Sequence, residues 1–85
     1  MMQGQRVYPN EQGDLLLKKG EYGINPKDGN WYACVPNGHM GNLANHEVTE
    51  HEDGTITVSP SILVTRHTGE FLWHGYLEHG IWREV

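Results

Sequence analysis

Eighty-five residues, a formal net charge of −5 and a single cysteine set the first bounds. A chain this short holds one domain, because a single core splits only beyond roughly 250–300 residues. The negative balance disfavours direct nucleic-acid binding, and one thiol excludes both an intrachain disulfide and a cysteine-based zinc site.

Apolar residues make up 36% of the chain and 11 residues are glycine, which predicts a turn-rich fold with a thin core. No stretch approaches the roughly 20 apolar residues of a membrane span, and the start lacks the apolar run of a secretory signal. The expected setting is the cytoplasm, with no membrane partner.

Met1 to Gly13 is polar and broken by Pro9, Asn10 and Gly13. Gln5 to Tyr8 is a short candidate strand, and residues 1–12 are expected to be loosely ordered. Asp14-Leu15-Leu16-Leu17-Lys18-Lys19-Gly20 reads in two ways. It is either one short helix, capped by Asp14 and stopped by Gly20, or an apolar triplet entering a sheet.

From Glu21 onward, turn signals recur at about the 8–12-residue spacing of all-β domains. Tyr22 to Ile24 and Trp31 to Val35 are candidate strands across Asn25–Asn30, and Pro36-Asn37-Gly38 ends the second. Leu43 to Glu50 is a strand, or a helical turn running into one. Asp53-Gly54 predicts a type I′ hairpin turn. Thr55-Ile56-Thr57-Val58 alternates strictly, with Ile56 and Val58 inward. Ser59-Pro60-Ser61 then breaks or bulges the ladder, since Pro60 has no amide hydrogen to donate.

Ile62-Leu63-Val64 reads as a more fully buried run, and Thr68-Gly69 as the next turn. Phe71 to Leu77 and Ile81 to Val85 form a closing hairpin across Glu78-His79-Gly80, where a type I turn plus a bulge is expected. Phe71, Trp73 and Leu77 share one face; Leu72, His74 and Tyr76 share the other. The predicted fold is mainly β, a small antiparallel sheet that is curled or packed as a two-layer sandwich, with at most one short helix.

The chemistry-bearing residues are dominated by six histidines between His39 and His79. Neutral imidazole is the commonest protein ligand for transition metals. In His46-Glu47-Val48-Thr49-Glu50-His51 the histidines stand five apart, one more than a zinc-protease helix requires. On a strand, His46 aligns with Glu50 and Glu47 with His51. Each pair is then half of a site that His74 or His79 from another strand completes, and zinc is the metal such a site would suit. The competing account makes them solvated surface histidines.

Glu47, Glu50, Glu52 and Asp53 lack the alternating oxygen ligands of an EF-hand loop. A solvated strand end explains them, with a nucleic-acid-mimicking inhibitor of a host defence enzyme as the sharper alternative. Neither Ser59 nor Ser61 sits in a nucleophile elbow, and the glycines form no phosphate loop. No catalytic residue and no cofactor is assigned, and Cys34 reads as a small buried apolar group. Gly75 leaves room in its strand for a backbone or ring to pack closely. Around it Trp73, His74 and Tyr76, with Trp82 opposite, form a candidate surface for a protein partner or for self-association.

The stretch Asp53-Gly54-Thr55-Ile56-Thr57-Val58-Ser59-Pro60-Ser61-Ile62, followed by Trp73-His74-Gly75-Tyr76-Leu77-Glu78-His79-Gly80-Ile81-Trp82, resembles small phage and prophage domains of unknown function. Their pattern is a Thr-x-Ser-Pro-Ser-Ile strand, then a Cys-His or Trp-His segment leading into a Gly turn. Longer relatives carry several cysteines that suggest zinc, whereas this chain has Trp73 before His74 and Cys34 as its only thiol. The resemblance implies a phage or prophage origin more than a mechanism. Aromatic residues concentrated on the Gly-containing terminal hairpin, without a catalytic constellation, favour a phage-type accessory protein acting as a non-catalytic binding module. A small His-based metal-binding domain is the alternative.

Overall fold

The computed structural model describes residues 1–85 and contains nine strands and no helix. They are β1 (Met2–Gln3), β2 (Gln5–Arg6), β3 (Glu21–Ile24), β4 (Trp31–Cys34), β5 (Met40–Asn42), β6 (Glu47–Glu50), β7 (Ile56–Thr65), β8 (Phe71–Glu78) and β9 (Ile81–Glu84). One sheet runs β1-β9-β8-β7-β6 and the other β2-β3-β4-β5. All pairings are antiparallel except that of β2 with β3. No helix is present that could cross a membrane.

Between the sheets lies one core of Tyr22, Ala33, Val35 and Leu43 from one side and Ile56, Val58, Ile62, Val64, Trp73, Leu77 and Trp82 from the other. Burying a large aliphatic or aromatic side chain contributes about 1.5–3 kcal/mol, so these few residues supply most of the driving force. The Trp73 and Trp82 rings meet edge to face at 5.5 Å. Trp82 Nε1 donates to the Gly20 carbonyl at 2.9 Å, tying β9 to the opposite sheet.

Residues 1–12, expected to be loosely ordered, carry β1 and β2, one in each sheet. Gly4 makes the crossing, and its N–H donates to Gly80 O at 2.6 Å. A side chain there would strike Gly20 O and the Trp82 indole. The N-terminal strand thus seals one side of the sandwich. On the opposite side β5 and β7 are not paired, and a groove of about 180 Å³ runs between them.

Asp14 to Gly20 forms no helix. The segment has no regular structure up to Lys18, Leu15 packs over Gly23, and a turn closed by Glu21 N–H to Lys18 O places Gly20 at φ 83°. Seven residues without tertiary support cannot offset the unfavourable helix nucleus.

The two hairpin turns exchange their expected types. At Asp53-Gly54, the His51 N–H bonds Thr55 O and the Gly54 N–H bonds His51 O, with Gly54 alone at positive φ. That is a turn followed by a left-handed glycine bulge. The same pattern of bonds closes Val35–His39 and Arg66–Glu70. At the last hairpin Glu78 pairs directly with Ile81, so the loop is His79-Gly80 alone, at φ 47° and 76°. Positive φ at both residues makes this the type I′ turn.

β7 has a wide irregularity where Ser59, Pro60 and Ser61 stand opposite Tyr76 alone, and β8 has another at Leu72. The second resets the side-chain alternation. Phe71, expected to share the Trp73 face, is therefore turned outward and is 61% exposed, while Leu72 packs against the core.

Candidate functional site

Of the candidate residues singled out above, His74 and Tyr76 lie on the outer face of β7 and β8. Ile56, Val58, Ile62 and Val64 point into the core, so Thr57, Ser61 and Leu63 point away from it. On β8 the same parity turns His74 and Tyr76 outward. The candidate patch is therefore divided. Trp73 and Trp82 are core residues at 2% and 1% exposure, because the apolar side of a thin sandwich needs their bulk. His74 and Tyr76 remain half-buried on the surface.

Gly75 plays the role its position implies, since a methyl group there would overlap the Trp73 ring and the Arg83 carbonyl oxygen. Tyr76 carries the Arg83 guanidinium over its ring at 4.5 Å.

The four candidate metal histidines fall into two pairs. Ser61 joins the first: its Oγ lies 2.9 Å from His74 Nε2, and its carbonyl oxygen lies 3.2 Å from His46 Nε2. A carbonyl only accepts, so His46 Nε2 carries the proton. His46 Nδ1 is buried without a partner. No carboxylate hydrogen-bonds either ring, so Ser61 and His74 lack the orienting third group of a nucleophilic triad.

Thr57 joins the second pair. Its Oγ1 lies 2.7 Å from His51 Nε2 and accepts from the His79 N–H at 3.0 Å. The His51 and His79 rings stack at 3.8 Å, 7° from parallel. Nitrogen lone pairs lie in the ring plane, and two parallel planes share no point at which one cation meets both. No three His, Cys, Asp or Glu side chains converge with metal-site spacing.

The acidic run is dispersed. Glu50 pairs with Arg6 at 2.6 Å. Asp53 accepts from Thr55 Oγ1 and N, and these bonds hold its carboxyl below the usual range. Glu47 and Glu52 stay exposed. Cys34 is buried at the end of β4, where desolvation, then the Glu21 charge, raises the thiol pKa. Such a thiol is a poor nucleophile.

Sequence reasoning missed two features. Leu63, read as part of a buried run, is 57% exposed opposite His74. The available signal was the antiparallel alternation itself, which sends the middle of an apolar triplet outward. Arg6 lies 4.6 Å from both the Tyr8 and Trp31 rings while pairing with Glu50; residues this distant in sequence gave no cue.

Comparisons with protein-family models, with curated proteins and with solved structures found no match for this chain.

Proposed function

We propose that this chain is a non-catalytic binding module whose contact surface is the outer face of β7 and β8. The reading rests on one observation: Leu63 is 57% exposed on a sheet face beside the half-buried His74 and Tyr76. An exposed apolar side chain beside aromatic rings supplies the apolar centre and polar surround that protein interfaces use. The resemblance to phage and prophage domains supports reading it as an accessory protein of the host cytoplasm. With a net charge of −5, a protein is the favoured partner over nucleic acid.

The test is capture from host-cell extract with two proteins of matching circular dichroism, the wild type and the Leu63→Asp/Tyr76→Ala variant. The reading expects a partner, whether another protein or untagged copies of this chain, held by the wild type and lost by the variant. Equal retention by both contradicts it.

A further inference from the structure

The outer face of β7 continues into an open strand edge, and its backbone can be followed group by group. β6 pairs with β7 from Ile56 only as far as Ser59. Beyond Ser59, β7 has β8 on one side and no paired strand on the other. The Val85 N–H bonds His74 O, so the His74 backbone faces β9. Its neighbours Trp73 and Gly75 then face β7, where they pair with Val64 and Ile62. Antiparallel ladders alternate, so the N–H and C=O groups of Ser61, Leu63 and Thr65 point out of the open edge. The His46 contact to Ser61 O on that side agrees.

Native edges are usually blunted by charged residues, especially lysine, or by proline. Pro60 and the irregularity beside it guard only the start of the open edge, and Ser61-Ile62-Leu63-Val64-Thr65 carries neither charge nor proline. Leu63 and Met40, exposed by 57% and 50%, border it.

We infer that this edge pairs with the same edge of a second copy, antiparallel about a two-fold axis at Leu63. The inference rests on the binding-module reading and specifies its partner. In this register Leu63 exchanges both backbone hydrogen bonds with the second copy's Leu63, and each Ser61 N–H donates to a Thr65 carbonyl, while the Ser61 carbonyl keeps its His46 contact. No like charges meet, although each chain carries −5. The pairing is self-complementary in hydrogen bonding and in apolar contact.

The experiment is native mass spectrometry with light scattering on the wild type and Leu63→Lys, joined by mild oxidation of Leu63→Cys. Hydrogen-bonded antiparallel partners lie about 5.5 Å apart at Cα, within disulfide reach. Cys34 is buried, so the new thiol is the accessible one, and Glu11→Cys is the exposed control. We expect a concentration-dependent wild-type dimer, a folded Leu63→Lys monomer, and a covalent dimer from Leu63→Cys but not Glu11→Cys. A wild type that stays monomeric at millimolar concentration, or a Leu63→Lys protein that still dimerises, overturns the inference. A monomeric wild type that captures another protein, with loss in Leu63→Asp/Tyr76→Ala, overturns self-pairing alone and leaves the binding-module reading standing.

Discussion

The His51 imidazole lies flat on that of His79, with ring centroids 3.8 Å apart and planes 7° from parallel. The contact fastens the β6–β7 loop to the β8–β9 turn, with Thr57 Oγ1 bonded to both residues. His79 is also the only non-glycine residue at positive φ, a conformation unfavourable by roughly 1–2 kcal/mol. Stacking and hydrogen bonding offset that strain.

A double-mutant cycle measures the contact. His51→Ala removes the stack and a hydrogen bond and is expected to lower stability by about 1–2 kcal/mol. In a His79→Gly background the same change loses less, giving a coupling of about 0.5–1.5 kcal/mol in urea denaturation. A coupling indistinguishable from zero contradicts this account of the turn pair.

Gly75→Ala tests the close approach within the terminal hairpin. The added methyl meets the Trp73 ring on one side and the Arg83 backbone oxygen on the other, and backbone cannot yield as a side-chain end can. The expected loss is about 3 kcal/mol or more, read as a fall in the thermal midpoint. A variant as stable as the wild type contradicts the packing described.

Tyr22 gives the alkaline limb of the stability profile. It is fully buried, and desolvation, then the Asp53 charge, raises its pKa above the usual 10.0. The folded state thus holds the proton more tightly than the unfolded chain. This contribution is intact below about pH 10 and is lost as pH rises through the raised folded value. The hydroxyl lies near the Ile56 backbone without a well-formed hydrogen bond, so Tyr22→Phe is expected to be neutral or stabilising by up to about 1 kcal/mol at pH 7. Its urea midpoint is expected to fall less steeply than the wild type's between pH 9 and 11. A residual slope remains from Tyr32, whose bond to Asp28 also raises it. Identical slopes contradict the assignment.

Cys34 is expected to resist iodoacetamide at neutral pH in the folded protein and to react fully in denaturant, because burial and Glu21 both disfavour the thiolate. Stoichiometric modification of the native protein, followed by mass spectrometry, contradicts that environment.

Much of the strand pattern was legible because alternation and turn residues act locally. The inward set Ile56 and Val58, the interruption at Pro60 and the glycine stops at 38, 54 and 69 all follow from short stretches of sequence. The details that failed depend on register. Asp53-Gly54 and His79-Gly80 both supply a left-handed glycine, and only the pairing of Glu78 with Ile81 makes the second the shorter loop. The irregularity at Leu72 reversed the expected side for Phe71. Trp82 belonged to the core because Gly20, 62 positions earlier, accepts its indole N–H. Of the candidate site, the residue types were legible, but their division into Ser61-centred and Thr57-centred groups was not. That division is set by which strands lie side by side.

Amide exchange at Leu63, followed by NMR across a concentration series, tests the open edge most directly. In dilute protein the account predicts fast exchange at Leu63 and Thr65 beside slow exchange at Ile62 and Val64, which bond β8. As concentration rises, Leu63 and Thr65 become protected while Ile62 and Val64 do not change. A Leu63 amide whose exchange is slow at every concentration, or fast at every concentration, contradicts an edge that is open in one copy and closed by a second.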